Sequence, residues 1–459
     1  MKMIYNVNDK PKFGQLVIFA IQQLLAIMAA TLVVPVIING NAGLTGEDAM
    51  STAAALFGAG IGTIVYILFT KRKSPVFLGS AFAFIGSMSA AFAGAASVSL
   101  GYAGLLIGAV LAGLVYVIIA IIVKFVGVEW INRLMPPVVI GPTVSIIGLS
   151  LAANAISDLQ TVNVEGGATN LAVLCGIITL IITTICSTYG KKMARLIPFI
   201  IGILCGYAVA GILTGIGYAA GIDALKITNF APISGLVADG VNVSTFFAVP
   251  SFTFLHALGG FKEVNGAYIG TVAAAYVPVA LVVFAEHIAD HKNISSIIEK
   301  DLLKDPGLSR TLLGDGIGSM AGAFFGGCPN TTYGESVACV AITRNASVAT
   351  LVATAIGAIL ISFLSPFVAF VNSIPSCVMG GVCMALYGFI AVSGLKMVQT
   401  VDLNANRNLF VVSAILISGI GGLTLNFGKI SITAVASSLI LGIIINLILS
   451  GEKAEEDAE

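Results

Sequence analysis

Apolar runs of about 20 residues follow one another along almost the whole chain, separated by short charged or Gly/Pro-containing breaks. That is the length at which a helix crosses the roughly 30 Å hydrocarbon core of a bilayer. Reading runs against breaks predicts fourteen segments: 14–38, 49–70, 75–94, 100–124, 133–155, 170–188, 195–216, 267–290, 309–327, 329–343, 346–372, 375–396, 408–424 and 431–449. The pattern is that of an all-α polytopic membrane protein.

The longest polar interval, 217–266, divides these into seven and seven. An odd number per half makes the second half enter the membrane from the opposite side, the condition for an inverted repeat. The third segment of each half breaks the apolar pattern: "SPVFLGSAFAFIGS" (74–87) and "CPNTTYGES" (328–336) each place a proline before small, polar and aromatic residues of poor helix propensity. Unwound backbone is tolerated at membrane depth only where it lines a cavity or is buried in protein. Short extended strands meeting near the midplane are therefore expected in the third and tenth segments, each followed by a helix whose N-terminus points at a ligand.

Composition agrees. The 459 residues are 58% hydrophobic and 10% charged, with 52 glycines and one tryptophan, and the mean hydropathy is +1.03. No stretch long enough for a water-soluble domain carries ordinary surface charge. Lys71–Lys73, "KKMAR" (Lys191–Arg195), Lys292, Lys300, Lys304, Arg310, Arg344, Lys396 and Arg407 all fall in alternate connections, whereas only Lys226, Lys262 and Lys429 fall on the other side. This asymmetry puts both termini in the cytoplasm, in a cell membrane. The polar start, "MKMIYNVNDKPKFGQ", lacks the apolar core of a cleaved leader. Cys175, Cys186, Cys205, Cys328, Cys339, Cys377 and Cys383 show neither CxxC nor His-rich spacing and are expected as free packing residues. No metal, cofactor or nucleic-acid motif is present.

A few polar residues then stand out at depth. In "VVFAEHIADHKN", Glu286 and Asp290 lie four apart on one helix face, with His287 about 100° away and His291 next to Asp290 near the cytoplasmic end. An ionised carboxylate at a helix centre costs roughly 2.5–3.5 kcal/mol on insertion, so Glu286 is expected to face a polar interior. A bond to a neighbouring helix is the plain alternative for Glu286, and an interfacial role is open to Asp290 and His291. Glu335 carries the same cost inside the broken tenth segment. Asp315 in "LLGDGIGSM" reads as a contact near a helix end, Gln22 and Gln23 as interhelical hydrogen-bonders, and the glycines of "LLGDGIGSMAGAFFGG" as close helix packing.

"AEHIADH", "KDLLKDPGLSRTLLGDG", "PNTTYGES" followed by "AITR", and "MGGVCMALYG" (379–388) resemble the nucleobase-cation symporters of the nucleobase-ascorbate type, over residues 14 to 450. Among them the members that carry uracil are most similar. The resemblance implies a core domain (14–125 and 267–372, segments one to four and eight to eleven), a gate domain (130–216 and 375–450, segments five to seven and twelve to fourteen), and a homodimer. It further implies that Glu286 and Glu335 hydrogen-bond the pyrimidine ring, that the backbone N–H groups of Phe82 and Gly334 meet its carbonyls, and that Tyr333 and Tyr387 wall the pocket. Some relatives have histidine, linked to proton coupling, where this chain has Asp290, and Gln-His where it has Gln22-Gln23. Proton coupling thus falls to Glu286 first, with Asp290 and His291 beside it. Purine-type relatives carry Gln-Asn at Pro329-Asn330 and lack the following Tyr-Gly-Glu, which favours a pyrimidine.

The expected function is import of uracil by proton symport through alternating access. A xanthine or other purine symporter is the alternative within the family. An anion exchanger or channel of the same architecture is disfavoured by two acidic residues at the pocket. An enzyme is disfavoured because no metal cluster or nucleophile-base pair accompanies the carboxylates.

Overall fold

The computed structural model describes residues 3–127, 129–191, 193–238, 240–427 and 430–449. Lys192 and Lys429 of the charge pattern, and residue 450 of the expected gate, lie outside these residues.

The apolar runs form helices. In the first half these are α1 (Phe13–Ala42), α2 (Thr52–Phe69), α3 (Ile85–Ala93), α4 (Val98–Val126), α5 (Pro137–Ser150), α6 (Ala152–Gln160), α7 (Thr169–Tyr189), α8 (Met193–Leu196) and α9 (Pro198–Ala220). In the second half they are α10 (Gly266–Ile298), α11 (Leu308–Gly326), α12 (Gly334–Thr343), α13 (Val348–Ile361), α14 (Ser376–Val398), α15 (Asn406–Ile420) and α16 (Ala434–Leu449). Among the described residues eight helical stretches are long and apolar enough to cross a membrane. The irregular segments behave as their composition demands: β1 (Leu78–Ser80) precedes α3, and β2 (Asn330–Thr332) precedes α12.

Some boundaries differ from the sequence reading. The expected segment 346–372 is two helices, α13 and Ser365–Asn372, because Ser365-Pro366 starts a new helix with proline in its first turn. The segment 133–155 is likewise divided at Leu151 into α5 and α6. Helix α10 runs to Ile298 and, at 33 residues, is about 50 Å long, so its last turns stand beyond a bilayer core. The polar interval 217–266 is not unstructured: it holds the short helices Ala231–Ser234, Val243–Phe246 and Thr253–Gly260.

The helices pack in two groups. In one, α11 lies against α2 and α4, α13 against α1 and α2, and α10 against α4; in the other, α14 lies against α5, α6 and α7, α9 against α7, and α15 against α5 and α16. Glycine sets a close contact between α2 and α11. A Cβ on Gly58 of α2 would stand 2.3 Å from the carbonyl oxygen of Gly322 on α11, so the two backbones approach more closely than any side chain allows. The close-packing role expected of the α11 glycines is observed here.

Candidate functional site

The site is built where the two broken segments meet. β1 and β2 pair antiparallel with Leu78 opposite Thr332, Gly79 opposite Thr331 and Ser80 opposite Asn330, joining the two halves of the chain. Three residues per side cannot satisfy a ladder, so flanking groups complete it. Ala81 N–H donates to Pro329 O (2.9 Å) and Tyr333 N–H to Phe77 O (3.1 Å). Thr63 of α2 serves Leu78 twice, accepting from its N–H at 2.9 Å and donating to its carbonyl at 3.2 Å. Asn330 is buried and donates to Gly58 O at 3.2 Å. These bonds let a non-helical crossing exist without exposing unpaired amides to lipid.

Each strand hands over directly to a helix start. Phe82–Phe84 forms a 3-10 turn leading into α3, and α12 begins at Gly334, immediately after Tyr333. As first residues of helical turns, Phe82 and Gly334 have N–H groups without intrahelical acceptors. Both face one cavity of about 460 Å³, which Glu286, Asp290, Thr332, Tyr333 and Glu335 also line. Glu335 occupies the first turn of α12, where the helix dipole favours a negative charge.

Glu286 and Asp290 reach the cavity together because they share a face of α10. Asp290 accepts a 2.8 Å hydrogen bond from Thr332 Oγ1, which ties α10 to the end of β2. The Tyr333 hydroxyl donates to Ser80 O at 2.7 Å, and its ring lies so close over Gly79 that a Cβ there would come within 2.4 Å of it. Only glycine fits that strand position. Behind the α12 start, buried Gln23 donates to Ser336 Oγ (2.6 Å), which also accepts from Phe77 N–H (3.0 Å). The interhelical role read for Gln23 thus has its partner one residue from Glu335. Gln22 reaches Met193 Sδ of α8 at 2.9 Å.

The opposite wall is apolar. Phe199 of α9 and Leu386, Phe389 and Ile390 of α14 face the carboxylates, and Ile147 closes one end. Toward the other end the lining includes Arg195 and Met397, at the α1 N-terminal end of the molecule where α8 meets α1.

The structure brings together Phe82, Glu286, Asp290, Tyr333, Gly334 and Glu335, and keeps Tyr387 and His291 off the cavity wall. Tyr387 is turned away from the face that carries Leu386 and Ile390. Its ring sits edge-on to Phe82 at 6.0 Å, behind the wall. His291 lies about 100° around α10 from Asp290, on the face it shares with His287; it bonds the Tyr66 hydroxyl (2.7 Å) and stacks on His287 at 4.0 Å. His287 in turn bonds Asp315 Oδ2 (2.7 Å) and Thr311 Oγ1 (3.0 Å), all three being buried. The helix-end contact read for Asp315 is thus an interior partner for α10. Thr332 and Arg195 also line the cavity, beyond the residues expected from the sequence. The first carried a usable signal, as a hydroxyl two residues before the helix start in "TTYGE".

Residues 14–428 match the Permease family. The chain is 35% identical over 453 residues to a uracil permease of Bacillus caldolyticus, covering 98% of this chain and 95% of that one. It is 36% identical to a uracil permease of Bacillus subtilis (strain 168) over 99% and 97% of the two chains, and 34% identical to one of Escherichia coli (strain K12) over 96% and 93%. Among solved structures, the transmembrane domain of a cyanobacterium bicarbonate transporter, BicA, superposes with a TM-score of 0.61 at 16% identity, covering 96% of this chain and all (100%) of that one. A murine anion transporter, solute carrier 26 family member A9 in the inward-facing state, superposes with a TM-score of 0.60 at 11% identity, covering 96% and 69%. At those identities the likeness carries the inverted-repeat transporter fold and no substrate. The full-length matches to permeases, together with a cavity built on paired broken segments, place the chain in the Permease family, as a transporter of the nucleobase-ascorbate type and not an enzyme.

Proposed function

We propose that the protein imports uracil across the cell membrane by proton symport and alternating access. The observation that carries this reading is a single cavity in which Glu286 and Glu335 stand with the helix starts at Phe82 and Gly334. Uracil alternates N–H donors with carbonyl acceptors around one ring, so carboxylates beside backbone N–H groups complement its edge. Phe199 and Phe389 offer an apolar cover for its faces. The cavity volume lies within the range of small-molecule sites, and the permeases matched over their length are named for uracil.

The cavity reaches Arg195 and Met397, on the side where the basic connections cluster. With those connections in the cytoplasm, both termini lie there too, the chain crosses fourteen times, and the conformation is open inward. The packing group of α1–α4 and α10–α13 acts as core, and that of α5–α9 and α14–α16 as gate. The site lies between them, so a shift of one group against the other exposes it alternately. The functional unit is a homodimer. Glu286, on a regular helix leading toward the cytoplasm, carries the proton, with Asp290 beside it, while His291 acts through His287 rather than at the substrate.

A membrane potential supplies about 2.3 kcal/mol per charge per 100 mV, enough for roughly fiftyfold accumulation per proton. In proteoliposomes, labelled uracil is expected to accumulate only when a proton gradient is imposed, and Glu286→Gln is expected to leave equilibrative exchange while abolishing gradient-driven accumulation. Gradient-independent uptake by the unaltered protein removes the coupling. Excess unlabelled xanthine is expected not to compete; competition as strong as that of uracil favours the purine reading instead.

A further inference from the structure

A second cavity, of about 250 Å³, lies on the other side of Phe82 from the first. The two share Phe82, Ala83 and Ile147 as a common wall, so one layer of side chains separates them. The second cavity is lined near its mouth by Asn41 and Asn154. Asn41 ends α1, at the pole opposite the basic connections, so this cavity faces away from the opening at Arg195.

A chain of side-chain hydrogen bonds crosses that mouth. Asn154 Nδ2 of α6 donates to Asn41 Oδ1 at 3.1 Å, and Asn41 Nδ2 donates to Ser89 Oγ of α3 at 3.2 Å. Helices α1 and α3 belong to one packing group, and α6, which packs on α7 and α14, belongs to the other. The Asn41–Asn154 bond therefore spans the seam along which the two groups must part for this pole to open, while the Asn41–Ser89 bond holds Asn41 in place. All three groups are neutral and none is buried, Asn41 being exposed and Ser89 and Asn154 partly exposed, so the bond breaks without desolvating an ion.

We propose that Asn41 and Asn154 form an outer latch: their bond holds the two packing groups together and the external vestibule narrow while the inner cavity is open, and its rupture lets the groups part and admits substrate from outside past Phe82. The inference rests on the alternating-access reading. A net bond of this kind biases an equilibrium by about twofold to tenfold, which suits a gate that must release in every cycle.

The vestibule contains its own reporter position. Gly86 lines it, and a Cβ built there meets nothing within 4 Å, so Gly86→Cys adds a thiol without a clash. In right-side-out vesicles, the Gly86→Cys protein is treated with a membrane-impermeant thiol reagent, and the parent chain provides the background from its native cysteines. Adding Asn41→Ala or Asn154→Ala is expected to raise the external labelling rate by about twofold to tenfold, with the double variant no faster than the faster single one. An unchanged rate in both variants, with uracil uptake retained, overturns the latch. If the alanine variants do not fold, Asn41→Cys with Asn154→Cys joined by a short bis-methanethiosulfonate crosslinker, which forms a disulfide with each thiol and releases sulfinate, replaces them: uptake is expected to stop on crosslinking and to return on reduction of the disulfides, and full uptake while crosslinked overturns the latch. Labelling needs no substrate, so an unaltered protein that fails to take up uracil removes the uracil reading and leaves the labelling result standing.

Discussion

Glu335→Gln is expected to lower uracil affinity by about tenfold to a hundredfold, to be read by calorimetry on the purified protein. The change keeps the side chain's volume and its place in the first turn of α12, so the cavity shape is preserved. What it removes is a charged acceptor at a site whose ligand presents N–H groups. Hydrogen bonds to charged groups are worth about 1.5–3 kcal/mol, and a buried donor left facing an amide N–H adds to the loss. Glu335→Ala, which also opens a void beside Tyr333, is expected to bind more weakly still. Glu286→Gln is a different change, because Glu286 sits on an unbroken helix away from any helix start, and its main effect is expected on accumulation. Affinity within threefold of the unaltered protein for Glu335→Gln assigns recognition to the backbone N–H groups alone.

The different settings of Glu335, at a helix start after a break, and Glu286, within an unbroken helix, are legible in the sequence, and the reason is physical. Pro329 cannot continue a helix and Gly334 permits close backbone approach, so the break and the helix start flanking Glu335 are local properties of ten residues. The same holds for the segment around Phe82, and the i, i+4 spacing of Glu286 and Asp290 fixes their shared face. Less local matters were not legible. Tyr387 is one residue from cavity-lining Leu386 and two from Phe389, and which of the α14 faces meets the cavity depends on its packing against α5 and α7, not on its own sequence. His291 adjoins Asp290 in sequence yet looks toward Tyr66, because a step of one residue turns a helix by about 100°. The break at Ser365-Pro366 was within reach, since proline there marks a helix start, but an unbroken apolar run masked it. The Asn41–Asn154 bond joins residues 113 apart, and no periodicity anticipates it.

Asp315→Ala is expected to cost the carrier about 1–3 kcal/mol of stability, with loss of uptake, although Asp315 does not line the cavity. Its carboxylate is 2.7 Å from His287 Nδ1, with both side chains almost wholly buried. Alanine leaves the imidazole nitrogen without a partner in a dry interior. His287 is stacked on His291, whose Nδ1 bonds the His287 carbonyl at 2.8 Å and whose Nε2 bonds Tyr66, so one lost acceptor loosens a set that pins α10 to α2 and α11. Since Glu286 is the neighbour of His287 on α10, a helix free to rotate there turns the carboxylate out of register with Glu335. Asp315→Asn separates the two roles of the acid. Its carbonyl still accepts a hydrogen bond, so it is expected to cost about 1 kcal/mol and to keep uracil binding, where the alanine variant loses it. Thermal melting of the purified variants, with and without uracil, gives the order: unaltered protein, then Asn, then Ala, with the uracil-dependent rise absent only in Ala. Equal melting for Asn and Ala means that the carboxylate charge rather than an acceptor holds α10, and an unshifted melt for Ala means that the pair holds nothing.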